Sequence, residues 1–362
     1  MVNNKSINSD SEINSIGIDA FELRYATIKS INFDLFERKG GIYKETNDED
    51  CIEIIDSKSG EIKKLKELKI QIKSCSYNKN CMYLEYVMNK LKGKKVISIK
   101  ANAPKFIYET NEKNSDGYLL SRLSGYVSGH LYRYGIEVDL RTAKVHNFEI
   151  NYNVHKDKFY QALKLINELW IKRDNKVFKV EEKDGIEFLL LKRPTRQIKI
   201  YNKTVELLSK GLPYEFNYNT RIEIKISHIS TIEYILGKER SFYKFCNSYK
   251  QIVDFYRKTI DKEIKKIYVS YTDEKIDEIV QKLNEGSKLR DICIEKWMNE
   301  EILDIDMFER AIKKYYKKTN KKNPYKSIKK LNSYFKDINE NKFNEASGNM
   351  IAIEQAFKSI GV

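Results

Sequence analysis

Tyr201 lies in the middle of the stretch IKIYNKTVE, residues 198–206, with Lys199 and Lys203 two positions away on either side. A phenol has an ordinary pKa near 10, and a neighbouring metal ion or ammonium group favours its ionised form. A phenolate oxygen is a nucleophile that forms covalent intermediates. Because the chain has 25 tyrosines, packing is the plain alternative for Tyr201. The surrounding residues therefore have to decide between packing and chemistry.

Three segments around Tyr201 alternate in polarity, so each predicts a strand with one polar face. They are KVHNFEINYN (144–153), QIKIYNK (197–203) and TRIEIKIS (220–227). The polar faces carry Glu149, Asn151 and Asn153 on the first segment, Lys199, Tyr201 and Lys203 on the second, and Arg221, Glu223 and Lys225 on the third. A half-buried antiparallel sheet with a solvated outer face produces the same alternation. If the three strands are neighbours, however, carboxylates, amides, cations and one phenol meet on one surface.

That inventory suits phosphoryl transfer. Hard oxygen ligands hold Mg²⁺ or Mn²⁺, usually through one or two carboxylates, with waters and substrate phosphate completing the shell. The metal and the cations would stabilise charge at the phosphorus while an oxygen nucleophile attacks. Tyr201 is the candidate nucleophile, and Lys199 or Lys203 would favour its ionised form.

The wider pattern predicts an α+β fold. Short alternating runs with Gly or Asn between them, among them KKVISIKAN and IEFLLLK, predict strands up to about residue 227. The stretch KFYQALKLINELW (158–170) predicts a helix that covers one side of the sheet. We therefore expect a central antiparallel sheet with a polar catalytic face, helices on the other face, and a mostly helical region after residue 228. One helix of that region should run from Asp273 to a stop before Gly286.

The composition indicates which class of partner the protein binds and where in the cell it works. A formal charge of +15 predicts a polyanionic partner, with nucleic acid first and an anionic membrane second. No apolar run approaches the ~18 residues of a spanning helix, and residues 1–15 read as a disordered polar leader without the blocks of a signal peptide. The five cysteines include no C-x2-C spacing, so they are expected to be ordinary thiols. These features favour the cytoplasm and no membrane partner.

A lysine-rich stretch, IKKYYKKTNKKNPYKSIKK (312–330), contains nine lysines and no acid. It reads equally as a solvated helix face with a loop or as a patch that follows a phosphate backbone. The candidate DNA contacts in it are Lys313, Lys314, Lys317, Lys318, Lys321 and Lys322.

The order ANAPKFIYETN, FEINYN, IKIYNKTVEL and TRIEIK resembles two related families. One is the gene II/X family of filamentous phage and plasmid replication proteins, and the other comprises the Rep_trans replication initiation factors of Gram-positive plasmids. The resemblance covers residues from about 90 to 230, with a weaker match at IGIDAFEL.

The resemblance implies a role for each matching residue. Tyr201 matches the tyrosine that becomes linked to the 5′-phosphate at a nick, with Lys203 and Arg221 as its catalytic neighbours. Glu149, Glu223 and Asn153 match the acidic metal positions, although Asn153 is a weaker ligand than the acid expected there. The loop before the tyrosine strand is reduced to LKRPTRQ, which leaves Arg193 and Arg196, with Lys199, as the phosphate contacts. A Gly-His pair of the gene II pattern is replaced by Glu109 and Thr110.

The sequence thus predicts a rolling-circle replication initiator, a metal-dependent enzyme that nicks and rejoins DNA at an origin. Its domains would be the leader (1–15), a nickase domain (16–228) and a helical DNA-binding domain (229–362). The resemblance further implies duplex and hairpin origin DNA, a host helicase and a possible homodimer as partners. Two alternatives stay open: a relaxase of a conjugative or integrative element, with the same chemistry, and a non-catalytic DNA-binding regulator, favoured by the changes at Thr110 and Asn153.

Overall fold

The computed structural model describes residues 16–73, 81–89, 94–108, 116–155, 159–161, 163–164, 178–214, 217, 219–298, 305–338 and 356–361. The predicted leader, most of the predicted helix over 158–170, and Glu109 with Thr110 lie outside these ranges. Within them the chain has an α+β fold built on one large sheet, as predicted.

The described strands number 13 and belong to one sheet. They are β1 (Gly17–Arg24), β2 (Thr27–Ile31), β3 (Ile42–Glu45), β4 (Ile52–Asp56), β5 (Ile62–Ile72), β6 (Met82–Asn89), β7 (Lys94–Asn102), β8 (Ile136–Asp139), β9 (Lys144–Val154), β10 (Lys179–Lys183), β11 (Ile186–Lys192), β12 (Arg196–Asn202) and β13 (Thr220–Ile226). Their order across the sheet is β10-β11-β12-β13-β9-β1-β7-β6-β5-β4-β2-β8, with β3 paired to β5. Neighbours are antiparallel except for the parallel pair β2 and β4.

The helices of the described residues are α1 (Phe33–Arg38), α2 (Ala103–Tyr108), α3 (Gly117–Tyr132), α4 (Lys203–Ser209), α5 (Ile229–Leu236), α6 (Phe242–Cys246), α7 (Tyr249–Ile260), α8 (Lys266–Asn284), α9 (Leu289–Met298), α10 (Ile305–Lys318) and α11 (Tyr325–Ile338). A π-helical turn over Asp261–Lys265 joins α7 to α8. The predicted helix after Asp273 is therefore present as part of α8, and the predicted stop is confirmed because Gly286 adopts a φ of +90°.

The apolar face of the sheet is packed by aromatic residues of α6. The ring of Phe242 stacks on Phe21 of β1 at 5.6 Å between centroids, and Phe245 meets Phe148 of β9 edge-on at 5.1 Å. Tyr256 of α7 donates its hydroxyl to the carbonyl of Ile222 at 3.1 Å, which fastens that helix to β13. Helices thus cover the face opposite the polar one, as the alternation of the strands predicts.

The described chain separates into two compact units. The first unit contains the described residues up to His155 and Lys179–Tyr256, and the second contains those of Lys156–Phe178 and Arg257–Val362. The division lies after Tyr256 instead of after residue 228, because α5, α6 and the first part of α7 belong with the sheet. In the second unit α10 packs mainly on α8, with Phe308 and Ile312 buried.

Candidate active site on the polar face of the sheet

Tyr201 is held at a junction between a strand and a helix. It is the residue before the end of β12, and the next residue, Asn202, caps α4 by accepting a hydrogen bond from the backbone N–H of Val205 at 3.1 Å. Lys203 begins α4, and its backbone N–H donates to the carbonyl of Asn219 at 2.6 Å. The backbone on both sides of Tyr201 is therefore fixed by hydrogen bonds.

The strand order brings the three predicted polar faces together. β12, β13 and β9 are consecutive, and the register pairs Tyr201 with Arg221, Arg221 with Asn153, and Glu223 with Asn151. The Tyr201 hydroxyl donates a hydrogen bond to Glu223 Oε1 at 2.7 Å. The phenol and the carboxylate singled out by the sequence are therefore in direct contact.

The ring of Tyr201 is a packing element as well. It is buried in a cluster with Ile186, Phe188 and Leu190 of β11, and 3% of Tyr201 is exposed. Lys199 Nζ lies over the rings of Phe188 and Tyr201, at 4.4 and 4.5 Å from their centroids. Packing holds the ring while the hydroxyl makes a polar contact, so the two interpretations of Tyr201 are compatible.

Arg221 is the central cation of the site and is 0% exposed. Its Nε donates to Asn153 Oδ1 at 2.8 Å, and its Nη1 lies 3.9 Å from Asp19 Oδ1. A buried guanidinium is tolerated only when carboxylates and hydrogen-bond acceptors compensate its desolvation. Asp19, on β1, is thus a member of the site that the sequence prediction did not include.

Lys203 is a second fully buried cation, also 0% exposed. Its Nζ donates to Glu206 Oε2 at 2.5 Å, and Lys210 donates to Glu206 Oε1 at 2.5 Å. Burial and the nearby Arg221 charge lower the pKa of Lys203 to about 8. Burial opposes ionisation of Glu206, but the charge of Lys203 and its hydrogen bond outweigh this and hold the Glu206 pKa at about 2. Lys203 can therefore exchange its proton close to neutral pH.

The ionisation of Tyr201 differs from the sequence prediction. Burial, followed by the Glu223 charge, raises the pKa of Tyr201 well above its usual value, so the phenol is protonated at neutral pH. The two lysines do not reverse this, because Lys199 and Lys203 lie over the face of the ring, the latter at 5.7 Å from the centroid. Burial and the Asp19 carboxylate raise the pKa of Glu223 to about 7. Glu223 is thus a base matched to neutral pH and already bonded to the phenolic proton.

A bulge in β1 places two acids on the polar face. Between Ile18 and Phe21, β1 has one more residue than its partner β9. Side chains three positions apart normally point to opposite faces of a strand, but the extra residue lets Asp19 and Glu22 share one face. Glu22 accepts from Arg24 Nε at 2.9 Å and from Asn147 Nδ2 at 2.6 Å. The match at IGIDAFEL was the available signal for Asp19, since strand alternation alone does not reveal a bulge.

The predicted metal ligands do not form one cluster. Glu149 pairs with Lys225 at 2.7 Å, and Asn153 is occupied by Arg221, which leaves Glu223 as the member beside other acids. In the described ranges, no group of three or more His, Cys, Asp or Glu side chains is placed to share a metal ion. The Asn153 position is explained by its role as a partner of a buried guanidinium.

Asn151 supplies a better test of whether a divalent cation fits. It is 0% exposed, and within the described part of the chain neither its Oδ1 nor its Nδ2 has a hydrogen-bond partner. An unpartnered buried amide is costly and calls for a ligand. Asn151 is the register partner of Glu223 and of Gly17, two residues before Asp19. Two carboxylates and an amide oxygen fit Mg²⁺ or Mn²⁺ that also keeps waters and phosphate oxygens.

The predicted DNA contacts fall into two regions. Arg193 and Arg196 flank the turn between β11 and β12, where the Arg193 N–H donates to the Arg196 carbonyl at 2.9 Å. By strand alternation Arg196 shares the face of Ile198 and Ile200, opposite Tyr201. Of the three phosphate contacts predicted around this turn, Arg193, Arg196 and Lys199, only Lys199 lies beside the Tyr201 ring.

The lysine-rich stretch lies on α10, the turn after it and α11 in the second unit. Within the described residues two of its lysines form ion pairs: Lys314 with Asp277 at 2.6 Å and Lys313 with Glu309 at 3.5 Å. The exposed ones are Lys313, Lys317, Lys318, Lys321, Lys322, Lys326, Lys329 and Lys330. Most of the charge in this stretch therefore faces solvent.

Comparisons with known proteins leave the family of this chain open. No family model matches it, and no curated protein matches it. A solved structure returned by the comparison is the crystal structure of the di-domain ARO/CYC BexL from the BE-7585A biosynthetic pathway, at 11% identity over 67% of this chain and 95% of that chain, with a TM-score of 0.17. A likeness at that level carries no argument about fold or function. In the described part of the chain, no helix has both the length and the apolar character that crossing a membrane requires.

Proposed function

We propose that the protein is a rolling-circle replication initiator that nicks and rejoins a DNA strand through a 5′-phosphotyrosyl bond to Tyr201. The observation that carries the proposal is the hydrogen bond from the Tyr201 hydroxyl to Glu223 at 2.7 Å, beside the fully buried Arg221. A phenol that serves only packing needs neither a base of matched pKa nor a guanidinium next to it. The motif resemblance around Tyr201 and the formal charge of +15 support the same reaction.

In the proposed reaction Tyr201 Oη attacks the phosphorus, and its proton passes to Glu223 Oε1. The bond from phosphorus to the 3′-oxygen breaks, and Lys203, whose pKa is about 8, gives a proton to that leaving oxygen. Arg221 stabilises the negative charge that develops on the phosphate. Rejoining is the reverse of these steps, with the 3′-hydroxyl as nucleophile.

A divalent cation held by Asp19, Glu223 and Asn151 would add positive charge at the phosphate oxygens. Because Tyr201 is 3% exposed and Arg221 and Lys203 are 0% exposed, a strand reaches the site only after a local opening. The proposed partners are origin DNA, in duplex and hairpin form, a host helicase and a second copy of the chain, and the proposed location is the cytoplasm. The lysine-rich stretch of the second unit would contact the duplex.

The test is the covalent adduct itself. Purified protein is incubated with Mn²⁺ and end-labelled single strands made from its own replicon, and the products are resolved on a denaturing gel. We expect a protein adduct on the 5′-phosphate side that Tyr201→Phe abolishes. Tyr108→Phe and Tyr152→Phe are matched controls that should retain it, because Tyr152 lies on the apolar face. An adduct that survives Tyr201→Phe would refute the assignment of the nucleophile.

A second candidate is a DNA-binding regulator without turnover. The packing of the Tyr201 ring against Phe188 and its neighbours favours it, because that packing is sufficient to explain a buried tyrosine. Salt-sensitive duplex binding without any adduct from the wild type would support the regulator. A relaxase would pass the adduct test as well, and a preference for a transfer origin over a replication origin would identify it.

A further inference from the structure

A groove of about 540 Å³ lies on the polar face of the sheet, in the first unit. Its walls come from β1, β5, β6, β7, β9 and β13, and its lining includes Gln71, Tyr83, Lys100, Asn102, Asn147 and Lys225. This volume is within the ~300–1,000 Å³ that small-molecule sites occupy. None of the predicted catalytic residues lines the groove.

The groove walls combine a free cation, an aromatic ring and amides. The Lys100 side chain is exposed and makes no hydrogen bond or ion pair with other described residues. Tyr83 is half-buried and presents an aromatic surface beside Lys100, its register partner. Gln71 pairs with Tyr83 on the other side. Asn147 donates Nδ2 to Glu22 at 2.6 Å and keeps Oδ1 as an acceptor.

Each kind of group suits a different part of a nucleotide. An ammonium group binds a phosphate, an aromatic ring stacks on a base, and amides contact the base edge. Stacking tolerates any base because every base has a flat π-face. Two carboxylates line the groove, and each is paired with a cation, Glu22 with Arg24 and Glu149 with Lys225, so neither repels a phosphate strongly.

A hydrogen bond and an ion pair link the groove to the candidate active site. Asn102 lines the groove and donates to Asp19 Oδ1 at 3.1 Å, and Asp19 lies 3.9 Å from Arg221. Lys225 also lines it and stands two residues from Glu223 on the same strand face. From Tyr201 on β12 there are four strand spacings to Lys100 on β7, about 19 Å, and five to Tyr83 on β6, about 24 Å. A strand with one phosphate at Tyr201 can therefore reach the groove with a different nucleotide.

We propose that this groove binds one nucleotide of the strand that Tyr201 attacks, with its base on Tyr83 and a phosphate on Lys100. The inference rests on the proposed nicking function and adds the contact that would position the strand. A free deoxynucleotide has the same chemistry as a nucleotide within a strand. The experiment has to separate these two sources.

Photo-crosslinking at Tyr83 tests the proposal. The full chain is irradiated with a deoxythymidine strand of about 12 nucleotides in which one position at a time carries 5-iodouracil, and the crosslinked peptides are identified by mass spectrometry. We expect the peptide that contains Tyr83 to be crosslinked from one or two adjacent positions. Lys100→Glu should reduce this crosslink at least about fivefold, as removal of a phosphate-binding cation near a stacked base requires.

Matched variants control for folding and for general charge. Lys238→Glu makes the same charge change at an exposed lysine that does not line the groove, and it should leave the crosslink unchanged. Tyr83→Phe keeps the ring and should bind the strand like wild type, whereas Tyr83→Leu should not. Tyr234→Leu removes a tyrosine that is 75% exposed and should have no effect.

The outcomes separate the groove from the nickase. Crosslinks that avoid the groove, or that ignore Lys100→Glu, would overturn the inference even if Tyr201 forms its adduct. Crosslinking at Tyr83 by a protein that forms no adduct would keep the groove and reject the nickase. Competition by deoxythymidine monophosphate at a concentration equal to that of the strand would assign the groove to a free nucleotide and reject the strand.

Discussion

The molecule contains two groups of cations in opposite settings. Arg221 and Lys203 of the first unit are both 0% exposed, and acids or amides bind each of them. The lysines of residues 312–330 in the second unit mostly face solvent, and the two pairs formed by Lys313 and Lys314 are at or near the surface. The same kind of charge is therefore enclosed in one region and hydrated in the other.

The setting decides what a charge does. Exposed charges are screened beyond about 10 Å at 0.1 M salt, so they attract a polyanion without adding much to stability. Buried charges are screened far less, so they shift the pKa of their neighbours, as Arg221 does for Lys203. We therefore expect the first region to control chemistry and folding, and the second to control salt-dependent binding.

The largest expected effect is on adduct formation. Glu223→Gln keeps the shape of the side chain but removes the base that accepts the Tyr201 proton, so the rate should fall by about 10²–10⁴-fold. DNA affinity should change little. Glu137→Gln, at an exposed carboxylate of β8, is the control and should form adduct at the wild-type rate. Denaturing gels sampled over time give the rate of adduct formation for both variants. An equal fall in this rate for Glu223→Gln and Glu137→Gln would contradict a special role for the buried site.

Removing a buried cation should have the next largest effect, on folding. Arg221→Met leaves the Asp19 carboxylate without its guanidinium, so the free energy of unfolding should fall by about 3–5 kcal/mol. Lys317→Met removes an exposed cation and should stay within about 0.5 kcal/mol of wild type. Urea unfolding followed by circular dichroism gives both values. A similar loss in both variants would contradict the difference in setting.

The dependence of stability on pH sharpens the comparison. The pKa of Glu223 is raised from 4.5 to about 7 in the folded state, so its neutral form is favoured there. This preference contributes on the order of 3 kcal/mol to the free energy of unfolding below pH 4.5. The contribution is lost as the pH rises to about 7. Glu223→Gln should therefore gain stability relative to wild type across this window. If the free energy of unfolding depends on pH in the same way for wild type and Glu223→Gln, then Glu223 titrates near its ordinary pKa.

The smallest effect is expected on the exposed side. Lys317→Glu with Lys318→Glu should lower duplex affinity and reduce the slope of log affinity against log salt by about 0.9 for each phosphate that the protein no longer neutralises. The unfolding free energy should change by less than about 0.5 kcal/mol. Fluorescence anisotropy at several salt concentrations gives the slope, with Lys238→Glu as the control. An unchanged slope would place the duplex-binding surface elsewhere.

The sequence was sufficient for the elements with a local pattern. Alternation predicted β7, β9, β11, β12 and β13, and Gly286 predicted the end of α8. Acidic residues at Asp273 and Glu274 suggested a helix start, but the helix already begins at Lys266 after the π-helical turn. Acidic residues do not mark the first turn of a helix reliably where one helix continues directly into another.

The candidate site was predictable only in part, for a physical reason. Tyr201, Arg221 and Glu223 were found because each lies on a strand whose alternation marks one polar face. Asp19 joins Arg221 across 202 positions of sequence, through strand neighbours and a bulge that no local pattern reveals. The ionisation of Tyr201 could not be predicted either, because it depends on burial and on which oxygen faces the phenol.

The bulge in β1 also has a consequence for how this gene can change in length. Ala20 lies in the bulge, between the residues of β1 that pair with Ile150 and Phe148 of β9. Loss of that one codon would leave Asp19 and Glu22 two positions apart, so strand alternation alone would keep both acids on the polar face. In a survey of single-codon deletions along β1, loss of Ala20 should therefore be tolerated better than loss of Phe21, whose deletion removes a buried core residue.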